Sequence, residues 1–428
     1  MSTYANPTNQ VYALKEKYDN PTNYMKDLVY AKNPLMALLP KDESPEGFAG
    51  KYIPVPLVFA TPAGRSATFA NAQSNQTAPQ GASFFVYRVS NYQIVTITNE
   101  LLEATKNNAA AFVDEATLNM DTGFRNISND CAGDLFRSGT GSRGQIAAAG
   151  YSKSSSTVTI TLASTSQVTQ FEVGMTLVAC ATDGGAPSTD TVALTGINRS
   201  TGVITGTAST GSSALSGNWA ALSYLAVQGD VAAGGSTGTS SYLKIAGLAA
   251  WLPYGGPAGG DSFWGVDRTA DTVRMAGFSA DYSNESIEEG LIDLLFNINL
   301  QGGSPDYVFC NFTTYQALIK ELGAKVQYVQ VMHDEADISF EGVKVISAYG
   351  PATVIPDRNC PSQMAYALQL DTWKLRSLGK VPHVLTYGLE GLEGVRVGNA
   401  DALEIRIGYY ANLICSAPGW SGSARMSA

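Results

Sequence analysis

The stretch Pro305-Asp306-Tyr307-Val308-Phe309-Cys310-Asn311-Phe312-Thr313-Thr314-Tyr315-Gln316-Ala317-Leu318 changes its hydrophobic pattern at a single point. Asp306 to Cys310 is a short apolar and aromatic run of the strand type, Asn311 begins a small polar turn, and Thr313 to Leu322 is predicted as a helix. A strand feeding directly into a helix is the signature of a mixed α/β unit. Downstream, strands are predicted near Lys325 to Val331, Gly342 to Ser347, Met364 to Leu370 and Ala402 to Ile414. Upstream, Ile287, Leu291, Leu294, Leu295 and Ile298 share one face of a helix expected from about Ser286 to Leu300, with Gly302 beyond its end.

Further upstream the pattern changes several times. Residues 150 to 240 are dominated by Ser, Thr, Gly, Ala and Val and hold only Lys153, Glu172, Asp183, Asp190, Arg199 and Asp230 as charges. Short β-prone runs there (Thr157 to Leu162, Met175 to Cys180, Thr191 to Ile197, Gly202 to Thr207, Ala220 to Val227) alternate with turn signals, which predicts an inserted small all-β sandwich or barrel. Its exit reads as a Gly/Ser linker, Ala232 to Ser241. Before it, Val113, Thr117, Met120, Phe124, Ile127, Cys131 and Leu135 recur at three- and four-residue steps, predicting a helix from about Asn108 to Arg137. At about 1.5 Å per residue it would be about 45 Å long, a spine for an elongated subunit.

Lys51 to Ala60 and Phe84 to Thr98 alternate as strands around a polar tip, Thr61 to Gly81, and are read together as a protruding two-stranded loop. A tip of about twenty residues is too long for a tight hairpin turn and marks a functional or mobile segment. Residues 1 to 45 scatter apolar side chains between Asn-Pro breaks at Asn6-Pro7, Asn20-Pro21 and Asn33-Pro34. They read as an arm laid on another surface, because a free arm of that apolarity would be a liability.

The whole chain has 428 residues, is 44% hydrophobic and carries only 15% charged residues, against about 25% in an average soluble protein. Few charges on a long, apolar chain imply surface hidden against copies of itself. The net charge of −10 divides as −1 over residues 1 to 149, −2 over 150 to 240 and −7 over 241 to 428, so no segment forms the basic surface that phosphate recognition needs. Five cysteines (Cys131, Cys180, Cys310, Cys360, Cys415) at wide spacing make neither a disulfide framework nor a zinc site and read as buried free thiols in a reducing compartment. The start, Met1-Ser2-Thr3-Tyr4, lacks a signal-peptide pattern, no apolar run is long enough to span a membrane, and a cytoplasmic protein is expected.

Several short motifs suggest chemistry and fail on context. Gly139-Thr140-Gly141-Ser142-Arg143-Gly144 has the dinucleotide spacing but follows a helix instead of a strand. Gly234-Gly235-Ser236-Thr237-Gly238 has the nucleophile-elbow spacing but sits in the linker with no apolar strand entering it. Asp334-Glu335-Ala336-Asp337 lacks the phosphate cradle that an acidic box would serve, and the run His333 to Asp337 reads as a solvated loop between strands. His383, the other histidine, is fifty residues away, and no catalytic triad follows from spacing. No catalytic residue, metal site or cofactor is expected.

The order of apolar arm, long hairpin, spine helix, α/β unit and returning strand resembles the major capsid proteins of tailed bacteriophages, of the Hong Kong 97-type fold. The strand, turn and helix at Pro305 to Leu318 resemble that family's axial domain. Phe340-Glu341-Gly342-Val343-Lys344-Val345 resembles its next strand, and Ala365-Tyr366-Ala367-Leu368-Gln369-Leu370-Asp371 the strand ending in an acidic residue. Ile405 to Gly419, with Pro418, resembles the long peripheral-domain strand and its terminating proline. The β-domain departs from the minimal member of the family.

The resemblance implies an α+β chain divided into an N-terminal arm (1–45), an extended loop (46–99), a peripheral domain with the spine helix (100–149), the inserted β-domain (150–240), and an axial domain with returning peripheral strands (241–428). It implies a non-enzymatic shell subunit, forming hexamers and pentamers that close into an icosahedral head around double-stranded DNA, without sequence-specific binding. Scaffold, portal and decoration proteins are the further partners implied. Assembly is expected in the host cytoplasm, with no membrane involved. Tyr12, Tyr24, Phe48, Phe59 and Phe69 are expected to be buried at interfaces between subunits, and Lys51, Arg65 and Arg88 to pair with acidic groups of neighbours. The alternatives are an encapsulin-like cellular compartment, a surface β-protein or an enzyme of unknown type.

Overall fold

The structure, a computed structural model, describes residues 33–44, 50–98, 109–215, 217–236, 238–322, 328–333, 336–385, 394–396 and 401–427. The described chain begins with a buried helix, Pro34–Leu38 (α1), and a short strand, Lys41–Asp42 (β1). Tyr52–Ala60 (β2) and Gln80–Tyr87 (β3) form an antiparallel ribbon whose tip carries the helix Phe69–Ser74 (α2). Val89–Thr98 (β4) and the long helix Ala109–Asp134 (α3) lead into six strands. These are Ser142–Ser154 (β5), Thr157–Leu162 (β6), Thr176–Cys180 (β7), Val192–Asn198 (β8), Val203–Ala208 (β9) and Tyr224–Val227 (β10). They close a barrel in the order β10-β5-β6-β9-β8-β7, because β10 pairs with both β5 and β7.

Two short helices, Leu248–Trp251 (α4) and Thr272–Ala276 (α5), precede the strand Phe278–Tyr282 (β11). Ile287–Leu300 (α6), Tyr307–Cys310 (β12) and Phe312–Leu322 (α7) come next. The remaining strands are Tyr328–His333 (β13), Ala336–Ser347 (β14), Gly350–Pro356 (β15), Met364–Leu368 (β16), Trp373–Ser377 (β17), His383–Val384 (β18), Gly394–Arg396 (β19), Ala402–Cys415 (β20) and Gly422–Met426 (β21).

Two sheets organise these elements. The long β20 is the axis of one: β4 pairs along its length on one side, while β17, β18 and β19 pair with successive segments on the other. The face holding Val95, Ile97, Ile405 and Ile407 is buried, and Gly123 of α3 lies so close that a Cβ there would be 2.8 Å from Val95. The second sheet is mixed, in the order β11-β21-β16-β12-β15-β14-β13. Leu291, Leu294 and Leu295 of α6 and Leu318 of α7 are buried in its core. Local chemistry starts both helices. The Ser286 hydroxyl accepts the Glu289 N–H, with Glu288 and Glu289 in the positive first turn, and the Asn311 side chain accepts the Thr313 N–H. The barrel has its own core, including Ile146, Val158, Leu177, Val192, Ile204 and Leu225, separate from those of the sheets.

Several expectations need correction. The stretch Phe84 to Thr98 is not one arm of a hairpin: it breaks at Arg88, with Phe84 to Tyr87 in the ribbon and Val89 onward in the β20 sheet. The barrel begins at Ser142 instead of 150, so Gly139 to Gly141 turn into its first strand and Ser142 to Gly144 open it. The linker Ala232 to Ser241 is packed, not loose: the Ser236 side chain is fully buried and its hydroxyl donates to the Ser241 carbonyl. His333 and Ala336 of the predicted loop lie in paired strands, β13 and β14, while Asp334 and Glu335 lie outside the described residues. After Pro418 a strand not foreseen from the sequence, β21, crosses into the second sheet between β11 and β16. Tyr12, Tyr24 and Phe48 lie outside the described residues.

Candidate functional site

The ribbon has one end anchored and one end free. At its root Phe84 and Val86 are fully buried, Phe84 packing edge-on against Trp251 (5.3 Å between ring centroids) and Phe263 (6.2 Å). The Phe85 N–H donates to the Trp264 carbonyl, and toward the tip end of β2 the Arg274 guanidinium donates to the Phe59 carbonyl. Trp264 and Gly265 both have positive φ (49° and 82°) in a tight turn closed by reciprocal Phe263 and Val266 hydrogen bonds. Val58, beside Phe59, is 68% exposed, and Phe69 at the tip is 83% exposed, so the subunit's own body leaves them uncovered.

Of the residues singled out from the sequence, Lys51 and Arg65 are exposed, Phe59 and Arg88 are half-buried and Phe69 is at the tip. They are strung along the ribbon, not gathered into one site. That arrangement suits a docking strip and contains no catalytic constellation. Among the described residues no group of three or more His, Cys, Asp or Glu side chains could hold a metal ion, and no helix is long and apolar enough to cross a membrane. The five cysteines are free and buried, and burial raises every thiol's pKa, Cys180 to about 11 and Cys310 and Cys415 to about 12, so none is a ready nucleophile.

A buried charge cluster, not foreseen from the sequence, joins the helix, the barrel and the body. Asp130 and Asp134 near the end of α3, Arg137 just after it, Arg143 on β5, and Asp230 and Lys244 beyond β10 meet with no side chain more than 15% exposed. Arg143 bridges Asp130 and Asp230 (3.1 Å), and Lys244 bridges the same two acids at 3.3 and 3.1 Å. Asn91 of β4 adds hydrogen bonds to Asp130 (2.9 Å) and from Lys244 (3.1 Å). Burial opposes the charge of Asp130, but Arg143 and Lys244 hold its carboxyl well below the usual range. Burial, and then the charge of Asp130, push Asp134 the other way, up to about 6. Three acids against three bases leave the cluster neutral, which makes it a clamp between structural units and gives it no charge to offer a substrate. The sequence held one signal: Asp130 and Asp134 sit four residues apart on a helix whose neighbouring positions, Ile127, Cys131 and Leu135, are core residues.

A second polar seam holds the start of the described chain. The Asp357 carboxylate accepts N–H groups from Leu35 (3.4 Å) and Asn359 (2.9 Å), and the Asn359 amide contacts both Asn33 and Gln170.

These features define a structural subunit: a two-sheet body, a clamped barrel and a ribbon with uncovered apolar residues. The model of the family described as SU10 major capsid protein matches residues 221–386, from the end of the barrel through most of the second sheet. That match covers a little over a third of the chain, and the family so described is one of capsid proteins. The resemblance read from the sequence is borne out by this match. Among solved structures, the chain is similar to the cyanophage A-1(L) capsid asymmetric unit, with 11% identity, 92% of each chain covered and a TM-score of 0.48. It is also similar to the capsid of an empty GTA particle, with 8% identity, 93% of this chain and 98% of that one covered and a TM-score of 0.43. A third similarity is to the SrpI encapsulin of Synechococcus elongatus PCC 7942, with 8% identity, 96% and 94% covered and a TM-score of 0.41. No curated protein matches the sequence.

Proposed function

We propose that copies of this chain form hexamers and pentamers that close into the icosahedral head shell of a tailed phage around double-stranded DNA. In this reading the fold is of the Hong Kong 97 type. The arm, extended loop, peripheral domain, barrel insertion and axial domain divide the chain as the sequence suggests, with the insertion beginning at Ser142. Scaffold, portal and decoration proteins are the further partners, and assembly takes place in the host cytoplasm. The ribbon lies across a neighbouring subunit and the arm reaches under another. The barrel stands on the outer surface.

The observation that carries the proposal is the ribbon itself. Its root is locked into the body while Val58 and Phe69 stand uncovered, an arrangement that a lone soluble subunit has no reason to keep. Burying such side chains against a neighbour stabilises assembly by about 25 cal/mol per Å² of apolar surface, less the cost of ordering. The net charge of −10 fits a wall that does not grip phosphates. The test is to express the chain, fractionate it by size and image the void fraction by negative-stain electron microscopy. Closed shells or capsomers are expected; a monodisperse monomer, even with scaffold supplied, would overturn the reading.

A further inference from the structure

A cavity of about 650 Å³ opens between the barrel and the body, a volume within the ~300–1,000 Å³ of ordinary binding clefts. Both glycine-rich motifs that the shell reading leaves unused meet on its barrel side. Ser138 and Thr140 flank Gly139 of the first motif, Ser236 and Gly238 belong to the second, and all four line the cavity. Their turns interlock through a third, at glycines with positive φ. A Cβ on Gly184 (70°) would lie 2.8 Å from both the Ser236 carbonyl oxygen and the Thr140 side chain, and one on Gly235 (90°) 2.9 Å from the Gly184 carbonyl oxygen. Only glycine permits that approach, so this side of the cavity is built by close backbone packing and is not a gap between loose loops.

The charged residues of the lining are Asp183, Asp261 and Arg268. Arg268 is fully engaged: it forks onto Asp261 at 2.6 and 3.2 Å and donates to the carbonyls of Ala250 and Trp251. Asp183 is exposed and receives only hydroxyl hydrogen bonds, from Thr140 (2.6 Å) and Ser138 (3.1 Å). The lining therefore keeps one unmatched negative charge, which repels phosphates and carboxylates and attracts a cation.

Aromatic rings stand near that charge. Tyr242 packs on Gly139, where a Cβ would be 2.9 Å from its ring. Burial, and then the charge of Asp183, raise the pKa of the Tyr242 hydroxyl, so the field of the carboxylate reaches it. Phe263 and Trp264 are covered, and Tyr87 and Tyr242 pack on Trp264 with ring centroids 5.8 and 6.0 Å away. The lining rings that stay partly exposed are those of Tyr87, Tyr242 and Phe85. Such rings attract a cation within about 6 Å of their centres and pack against hydrocarbon.

We propose that the cavity binds a small organic ammonium ion, with its charged head on Asp183 and its hydrocarbon body against Tyr242 and Tyr87. The lining comes from one copy of the chain, so the site goes beyond the shell reading and does not depend on it. Equilibrium dialysis of the full-length chain against phenethylamine tests the site, with phenethyl alcohol as the neutral isostere and inorganic phosphate as the anion. The net charge of −10 draws any amine weakly, so the comparisons carry the result. Saturable binding of the amine, and none of the alcohol or of phosphate, is expected. Asp183→Asn keeps an acceptor for the two hydroxyls and removes the charge, and is expected to weaken amine binding about tenfold without changing the melting temperature of the free protein. Ser262→Trp, at an exposed position of the lining, is expected to abolish binding by occupying the cavity. No saturable binding of the amine, equal binding of the alcohol, binding of phosphate, or amine binding untouched by either substitution would each overturn the proposal.

Discussion

Replacing Lys244 by methionine keeps an unbranched side chain one atom shorter and deletes its charge. Lys244 is 5% exposed, and its ammonium lies 3.1 Å from Asp230 and 3.3 Å from Asp130. The variant leaves three buried carboxylates facing two guanidinium groups, and removing one partner of a buried ion pair costs about 3–5 kcal/mol. Urea unfolding of the unassembled subunit, followed by tryptophan fluorescence, measures this directly. Arg199→Met is the control: its pair with Glu172 is shorter still, at 2.7 Å, but both side chains are about half exposed, so a loss of about 0–1 kcal/mol is expected. Adding Asp230→Asn to Lys244→Met restores neutrality, two carboxylates against two guanidinium groups, and should recover about 1–3 kcal/mol by non-additivity. The pH dependence has a definite sign. Asp130 is held low in the folded state, so its contribution is present above the ordinary carboxylate range and is lost as pH falls through its folded pKa. Without Lys244 that folded pKa rises, and the acid loss should begin at higher pH. A Lys244→Met loss below about 1 kcal/mol, with additive behaviour of Asp230→Asn, would refute the clamp.

Burial pushes the Asp357 carboxyl up to about 6; its contribution is full below the ordinary carboxylate range and lost as pH rises through about 6. Asp357→Asn should therefore remove a slope of up to about 1.4 kcal/mol per pH unit from thermal-unfolding data between pH 4 and 6. Gly247→Ala would place a Cβ 2.3 Å from the Leu135 carbonyl oxygen and 2.4 Å from that of Asp134, both main chain. A loss of about 1–3 kcal/mol is expected by calorimetry, and unchanged stability would show that the end of α3 yields. Phe69→Ser should leave the melting temperature of the isolated subunit unchanged and lower its assembled fraction on a sizing column, since the side chain is uncovered before assembly.

Residues whose partners lie within a few positions were legible in the sequence. The spacing of Ile287, Leu291, Leu294, Leu295 and Ile298 located α6 because helical periodicity is a local property. The strand and helix around Asn311 are visible for the same reason, and the β-prone runs of the barrel fall within a few residues of the observed strands. Lys51, Arg65 and Phe69 could be named as exposed ribbon residues because a long polar tip between two alternating stretches has little else to be. The division of Phe84 to Thr98 between ribbon and sheet was not legible, since alternation is the same whichever partner a strand takes.

The sequence by itself determined the elements, their order, the low-charge character that points to self-association, and the resemblance to a capsid subunit. The tertiary structure alone decided which strands pair, where the barrel closes, and that Asp130, Asp134, Arg137, Arg143, Asp230 and Lys244 become one neutral, buried cluster. It also brought Asp183 of the barrel to the aromatic wall around Phe263 and Trp264. The physical reason is range. Helix and strand periodicity are properties of neighbouring residues, whereas burial turns a charge from a solvated ornament into a strong constraint, and burial depends on contacts more than a hundred residues apart.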